Sequence, residues 1–277
     1  MDASQGNASG GSFVELETDQ MIGEKRDGVG WITFNNPARR NAVNLTMRIA
    51  LIKILREFEG DPDIRVMVLR GSGDKAFVSG SDISEFKDKR ATPEQAQEYQ
   101  KIGSELDQCF ESVTKPLIAM IHGMCLGNGL GTALKCDLRI ASQDALFGIP
   151  AARLGLVYNF PGVKRVVDLI GSSRAMEMIF TARRFTAAEA KEIGLVNEVT
   201  TFANLEARVS EICALIVDNA PISVRAGKLM VKEAMKEEAH REMGLCQSLV
   251  KEGFASADFR EGRTAFMEKR KPVFTGR

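Results

Sequence analysis

Between Met21 and Phe34 apolar and polar residues alternate and then reverse at Asp27-Gly28, the pattern of a hairpin ending in a strand over Gly30 to Phe34. From Asn41 to Phe58 the period changes, and Ala50, Leu51, Ile54, Leu55 and Phe58 fall on one helical face. Arg65 to Leu69 is a short apolar run, as in a parallel strand buried on both faces. The alternation of run and stripe continues. It predicts a helix starting over Gly80 to Lys87, with Ser81 or Asp82 near its cap, and a helix over Pro93 to Val113. A strand over Pro116 to His122 follows, then a helix from Asn128 to Lys135 and a strand over Leu138 to Ala141. A further short strand spans Phe147 to Pro150.

After Pro161 strands nearly vanish and helices follow one another, over 162–170, 172–181, 187–193, 202–219, 221–235, 240–252 and 256–269. An alternating strand–helix core with a helical tail predicts an α/β fold with appended helices. The expected organisation is a disordered arm over residues 1–20, a core over 21–200 and a helical lobe over 201–277. The arm rests on the polar, Gly/Ser-rich start MDASQGNASGGS, which has no apolar stretch of the kind found in a signal peptide.

Composition narrows the function. The 277 residues are 44% hydrophobic, enough for one sizeable core. The charges balance at 37 basic and 37 acidic, which argues against nucleic acid as the main partner. No run of about 18 apolar residues suggests a membrane helix. The five cysteines, at 109, 125, 136, 213 and 246, show no CxxC and no metal-ligand spacing. They read as buried free thiols of a reducing compartment, and the expected location is cytoplasmic.

Two segments share one design, a strand, a glycine turn and a helix start: AFVSGSD (76–82) and GMCLGNGLG (123–131). Glycine lets a substrate approach bare backbone, and the first amides of a helix have no internal partners. Two such turns side by side would aim two N–H groups at one point, an oxyanion hole for an enolate or a tetrahedral intermediate. A single turn of this kind equally suits an ordinary tight connection.

With their flanks these turns resemble the crotonase family, also called the enoyl-CoA hydratase/isomerase superfamily. The resemblance covers roughly residues 21 to 277 and is carried by FNNPARRNAV (34–43), VMVLRGSGDKAFVSGSDISEF (66–86), KPLIAMIHGMCLGNGLGTALKCDLRIAS (115–142), LFGIPAARLGL (146–156), TARRFTAAEAKEIGLVNEV (181–199) and EGRTAFMEKRKPVF (261–274). It implies a ββα superhelix whose C-terminal helices pack into trimers, often dimers of trimers. It also implies an acyl-CoA thioester substrate, with CoA as part of that substrate and no separate cofactor. The enolate-binding amides would be those of Ser81 and Asn128. CoA contacts would come from Ala38, Arg39 and Arg40, from Ser79, Ser81, Asp82 and Ile83, and from Phe266 and Lys269 toward a neighbouring subunit.

The pattern breaks where hydratases of the family carry two glutamates, because the matching positions are Gly131 and Ala151. Loss of one positioned acid or base costs about 10²–10⁴-fold in rate. Glu85, Asp82, Asp137 and Asp144 are the nearby carboxylates in sequence. LGLVYNFPG (154–162) resembles a segment of family decarboxylases acting on methylmalonyl-CoA, which also lack the glutamates, and it marks Tyr158 as a catalytic candidate. Ala151, Gly131 and Val157 would form an apolar pocket around it. His122, ending an apolar strand, and His240, in a charged helix, read as structural and exposed respectively. The expectation is therefore enolate chemistry, headed by decarboxylation of a malonyl-type CoA ester. The alternatives are hydration or isomerisation with a non-standard acid such as Glu85, thioester hydrolysis, and CoA-ester binding without turnover.

Overall fold

The computed structural model describes residues 11–85 and 92–277. In chain order its strands are β1 (Ser12–Phe13), β2 (Met21–Arg26), β3 (Val29–Phe34), β4 (Val66–Gly71), β5 (Ala76–Val78), β6 (Leu117–Ile121), β7 (Met124–Leu126), β8 (Leu138–Ser142), β9 (Leu146–Gly148), β10 (Phe185–Thr186) and β11 (Glu198–Thr200). They form two sheets, ordered β1-β2-β3-β4-β6-β8-β11 and β10-β9-β7-β5. Each successive turn of chain lays one strand in each sheet: β4 then β5, β6 then β7, β8 then β9. This is the expected ββα superhelix.

The hairpin β2–β3 turns at Asp27 and Gly28, both with positive φ, as a two-residue loop requires. From β3 onward the large sheet is parallel, and β4 and β6 are apolar runs because both their faces are covered. One face packs on the helix Leu45–Gly60, through Met47, Leu51, Ile54, Leu55 and Phe58, and on the helix Pro93–Ser112. The other face presents Trp31, Val66, Val68, Ile118 and Ile140 to Leu205, Val209 and Cys213 of the helix Phe202–Val217.

The structure corrects two expectations, on residues 11–20 and on the segment after Gly80. Residues 11–20 are not a disordered arm. Ser12 and Phe13 pair with Lys25 and Glu24, Val14 donates to the Gly23 carbonyl at 2.8 Å, and the Val14 side chain is buried. Gly23 lacks a Cβ where Val14 inserts, so edge pairing and one apolar anchor order a segment of unpromising composition. Residues 1–10 lie outside the described residues. Beyond Pro161 strands nearly vanish, as expected: among the described residues two short ones remain, β11 beside β8 in the large sheet and β10 beside β9 in the small one. The segment after Gly80 forms a 3₁₀ turn, Ile83–Glu85, and the rest of the helix expected there lies outside the described residues.

The helices Pro221–Ala234, Met243–Ala255 and Ala257–Glu268 bury few of their own side chains. They leave Val231, Phe254, Phe259, Phe266 and Met267 in solvent in a single chain.

Two short strands of the small sheet deliver the glycine turns, and one close approach sets their spacing. A Cβ at Gly129 would stand 2.0 Å from the Val78 carbonyl oxygen, so the helix start lies directly on the β5 backbone. Gly129→Ala is expected to lower the unfolding free energy by about 1–3 kcal/mol. Urea denaturation checks this, and an unchanged midpoint would mean that the two backbones are not in contact.

Candidate active site

The first turn is fixed by a loop that hydrogen-bonds to itself. Asn41 is fully buried in the left-handed region; its Oδ1 accepts from Asn36 N at 2.9 Å, and its Nδ2 donates to the carbonyls of Ser72 (3.0 Å) and Ala76 (2.7 Å). Val43 then bridges the turn: Val43 N donates to Gly80 O at 2.9 Å and Asp82 N to Val43 O at 2.9 Å. In a parallel bridge of this kind the N–H of Ser81 points away from Val43. β5 pairs with β7, and a Cβ on Gly80 would stand 3.7 Å from the Leu126 carbonyl oxygen, so the turn that follows β5 adjoins the end of β7. Among the described residues the Ser81 N–H has no backbone acceptor.

The second turn begins at Gly127, which caps the helix Asn128–Ala133 with φ 53° and ψ −119°. Gly127 N donates to Gly148 O at 2.9 Å, tying the turn to the end of β9. The amide of Asn128 opens the helix and has no partner within it. The structure thus places the Ser81 and Asn128 amides on adjacent turns, held together by the contact of Gly129 with Val78.

Tyr158 stands over this second turn. Its hydroxyl donates to Gly127 O at 3.4 Å, and a Cβ on Gly131 would lie 2.9 Å from the same oxygen. The phenol therefore occupies the space into which any side chain at 131 would project. Its ring also lies against Gly162, where a Cβ would stand 2.5 Å from it, and Asn159 caps the helix Phe160–Thr181 through Gly162 N. The YN pair and the following glycine are thus one local unit. Burial pushes the Tyr158 phenol up to about 12, with Asp107 adding to the shift and Arg165 opposing it. Ala151 is half-buried against the core, as expected of a pocket wall. Val157 is not part of that wall: at 97% exposure its side chain points to solvent, because Tyr158 rather than Val157 takes the inward position.

The residues expected near CoA gather on one rim. Ala38 and Arg39 lie in the exposed 3₁₀ turn Pro37–Arg39, and Arg40 caps it in the left-handed region. Ser79 N donates to Arg40 O at 3.1 Å, joining this turn to the first glycine turn. Arg39 Nη1 reaches Asp82 Oδ2 at 2.8 Å and Ser84 Oγ at 2.6 Å. Burial alone would raise Asp82, but the hydroxyl and N–H of Ser84 and the Arg39 guanidinium outweigh it and hold the carboxylate below its usual range. The backbone of Ile83 starts the adjoining 3₁₀ turn. Phe266 and Lys269 are exposed at the far end of the last helix, Phe266 at 82%. No hydrogen bond or ion pair links them to the two turns among the described residues.

The carboxylates nearest in sequence to the missing glutamates have structural duties. Glu85 Oε2 accepts from Leu45 N at 2.9 Å, so it caps the helix Leu45–Gly60 beside Asn44, which accepts from Met47 N. Asp137 accepts from Leu117 N at 2.7 Å and from Lys228 Nζ at 2.8 Å. Asp144 accepts from Gly123 N at 3.0 Å. His122 is buried edge-on to Phe202, and burial lowers its basicity, in keeping with a structural role. His240 is exposed.

Sequence reasoning missed Asn41 as the organiser of the first turn, and it missed a group of charges behind the second. Lys135 pairs with Asp107, Arg165 with Glu111 at 3.3 Å, and Arg48 Nη2 donates to Ser81 Oγ at 3.2 Å. Lys135 lies in the turn just past the helix Asn128–Ala133. A cavity of about 290 Å³ lies elsewhere, lined by Arg65, Lys115 and Arg225, at the junction with the C-terminal helices.

Residues 24–277 match the family model described as enoyl-CoA hydratase/isomerase. The chain is 35% identical over 256 residues to the short-chain-enoyl-CoA hydratase of Clostridium acetobutylicum, covering 92% of this chain and 97% of that protein. It is 34% identical to the crotonyl-CoA hydratase of Syntrophomonas wolfei, with 92% and 98% covered. Among solved structures, an enoyl-CoA hydratase/carnithine racemase from Magnetospirillum magneticum superposes with a TM-score of 0.87 at 31% identity, covering 94% of this chain and 97% of that one.

The Asp82 arrangement has a pH signature. A carboxylate held below its unfolded value, near 3.8, adds stability that is present above that value and lost as pH falls through the folded one. Wild type is therefore expected to exceed Asp82→Asn in urea midpoint at neutral pH, with the gap closing as the pH drops below about 4. A gap that persists at low pH would contradict the ion pair.

Proposed function

Because the chain belongs to the enoyl-CoA hydratase/isomerase family, the crotonase superfamily, we propose that it is an enzyme of acyl-CoA thioesters. Its reaction is enolate formation by loss of CO₂ from a malonyl- or methylmalonyl-type ester. The thioester oxygen accepts from Ser81 N–H and Asn128 N–H. The loop of Ala38, Arg39 and Arg40, with Ser79, Asp82 and Ile83, borders CoA, and Phe266 and Lys269 contact the CoA of a neighbouring subunit. The apolar side chains left in solvent on the last helices suit assembly as a homotrimer or a dimer of trimers.

One observation carries the decarboxylation reading. The space over Gly131 is filled by a phenol, and the neighbouring carboxylates Glu85, Asp137 and Asp144 are held by backbone amides. Loss of CO₂ needs no base. The bond between Cα and the carboxylate carbon breaks, its electron pair passes into the thioester, and the oxyanion hole holds the resulting enolate. A phenol raised to about 12 stays protonated at neutral pH. Tyr158 can then orient the departing carboxylate and deliver its proton to Cα, with water restoring it.

The names of the relatives favour a second reading, hydration of an enoyl thioester. It would need a non-standard acid–base group, since Gly131 and Ala151 stand where the family's two glutamates would be. Mass-spectrometric turnover on methylmalonyl-CoA, malonyl-CoA and crotonyl-CoA separates the two. Decarboxylation without hydration is expected. Tyr158→Phe should lower its kcat by about 10²–10⁴-fold, and Glu85→Gln should retain it. Rapid hydration of crotonyl-CoA would overturn the decarboxylase reading, release of free CoA would mark a hydrolase, and tight binding with no product would mark a non-catalytic CoA-ester protein.

A further inference from the structure

Ser81 follows Gly80, whose φ of 135° suits glycine and is costly for other residues. Val43 holds the residues on either side, donating to Gly80 O and accepting from Asp82 N. Neither bond is made by Ser81 itself. Its hydroxyl accepts from Arg48 Nη2 at 3.2 Å. Arg48 lies on the first turn of the helix Leu45–Gly60, and its guanidinium is clamped from the far side. Its Cζ stands 4.5 Å from the centroid of the Tyr99 ring, and a Cβ on Gly103 would stand 3.6 Å from Nη1. Tyr99 is buried, and it lies one turn from Gly103 on the helix Pro93–Ser112. The cation is thus seated over an aromatic face. Glu85 ties the same stretch to the same helix through Leu45 N at 2.9 Å. The turn that carries Ser81 is therefore fastened at Val43, Leu45 and Arg48, and only the last of these contacts reaches Ser81 by its side chain.

We propose that Arg48 is a positioning residue for the first oxyanion donor: it holds Ser81 by the hydroxyl so that the N–H faces the thioester oxygen, and its positive charge strengthens that donor. A hydrogen bond from a charged donor is stronger than one between neutral groups, so it fixes the Ser81 side chain better than water would. Covalent geometry keeps a serine Oγ within about 3.7 Å of its own N, so Nη2 stands within about 7 Å of the amide. At that range, in a partly buried site, a charge is screened far less than in water. It favours the state in which the thioester oxygen is negative over the state in which it is neutral. The gain therefore falls on the rate of reaction rather than on substrate affinity.

The inference rests on the acyl-CoA reading of the site, with Ser81 N–H as a donor, but not on which reaction follows. Its test therefore reads the bound thioester itself, by infrared difference spectroscopy of the full chain saturated with acetyl-CoA labelled with carbon-13 at the thioester carbonyl. In wild type the carbonyl band is expected below its position in water. Arg48→Met keeps an apolar stem against Tyr99 but removes the charge, and it should lose a measurable part of that downshift, with Arg48→Lys recovering some of it. Ser81→Ala keeps the N–H and removes the acceptor. It should lose part of the same downshift, and the double variant should lose no more than Arg48→Met alone. On any thioester that turns over, kcat of Arg48→Met should fall by about 10–100-fold, less than the roughly 10²–10³-fold of deleting a donor outright. Circular dichroism and the thermal transition check the fold of each variant. An unchanged band in folded Arg48→Met overturns the proposal, and so does a full wild-type downshift in Ser81→Ala. If Arg48→Met does not fold, Ser81→Ala decides alone. Bound acetyl-CoA with no downshift in wild type overturns the oxyanion role of the two amides, and failure to bind acetyl-CoA overturns the acyl-CoA reading; either takes this inference with it.

Discussion

The site exists because a helix start can lie on a strand with no side chain between them. Gly129 meets the Val78 carbonyl at a distance that no Cβ allows, and this contact draws two separately built turns together. Each turn is rigid for its own reason, the first through Asn41 and the Val43 bridge, the second through the bond from Gly127 N to Gly148 O. The superhelix brings β5, β7 and β9 side by side, so their C-terminal ends open onto one region. Preorganised amides of this kind need no rearrangement as charge develops.

Around this frame the ionisable groups divide by duty. Acids near the turns are occupied with backbone amides, where they close helix and strand ends. Asp82 is locked to Arg39 and Ser84 on the rim. What remains over the second turn is a neutral hydroxyl, with ion pairs behind it. Such a site favours chemistry in which the substrate supplies the electrons and the protein supplies fixed dipoles.

Much of the fold was legible because parallel strands buried on both faces must be apolar runs, and β4 and β6 are. The helix Leu45–Gly60 was legible from its stripe. β1, β10 and β11 were not, since two or three residues carry no period, and β1 is ordered by pairing with β2 rather than by its own composition. At the site, glycines announced the two turns, because close backbone approach leaves glycine little alternative. Side-chain roles were less readable. Val157 and Tyr158 are neighbours in sequence, and only packing decides which one faces inward. Glu85 looked like a spare acid, because its bond to Leu45 N spans 40 positions that no local pattern connects. Asn41 was hidden for the same reason, as its partners Ser72 and Ala76 come from a distant loop.

Gly131 and Tyr158 share one volume, and this makes the two positions interdependent. A side chain acquired at 131 collides with the phenol, while loss of the phenol alone leaves a void over a bare glycine. Neither change is neutral on its own. A side chain at 131 and the phenol at 158 thus compete for one volume, so the residue tolerated at either position depends on the residue at the other.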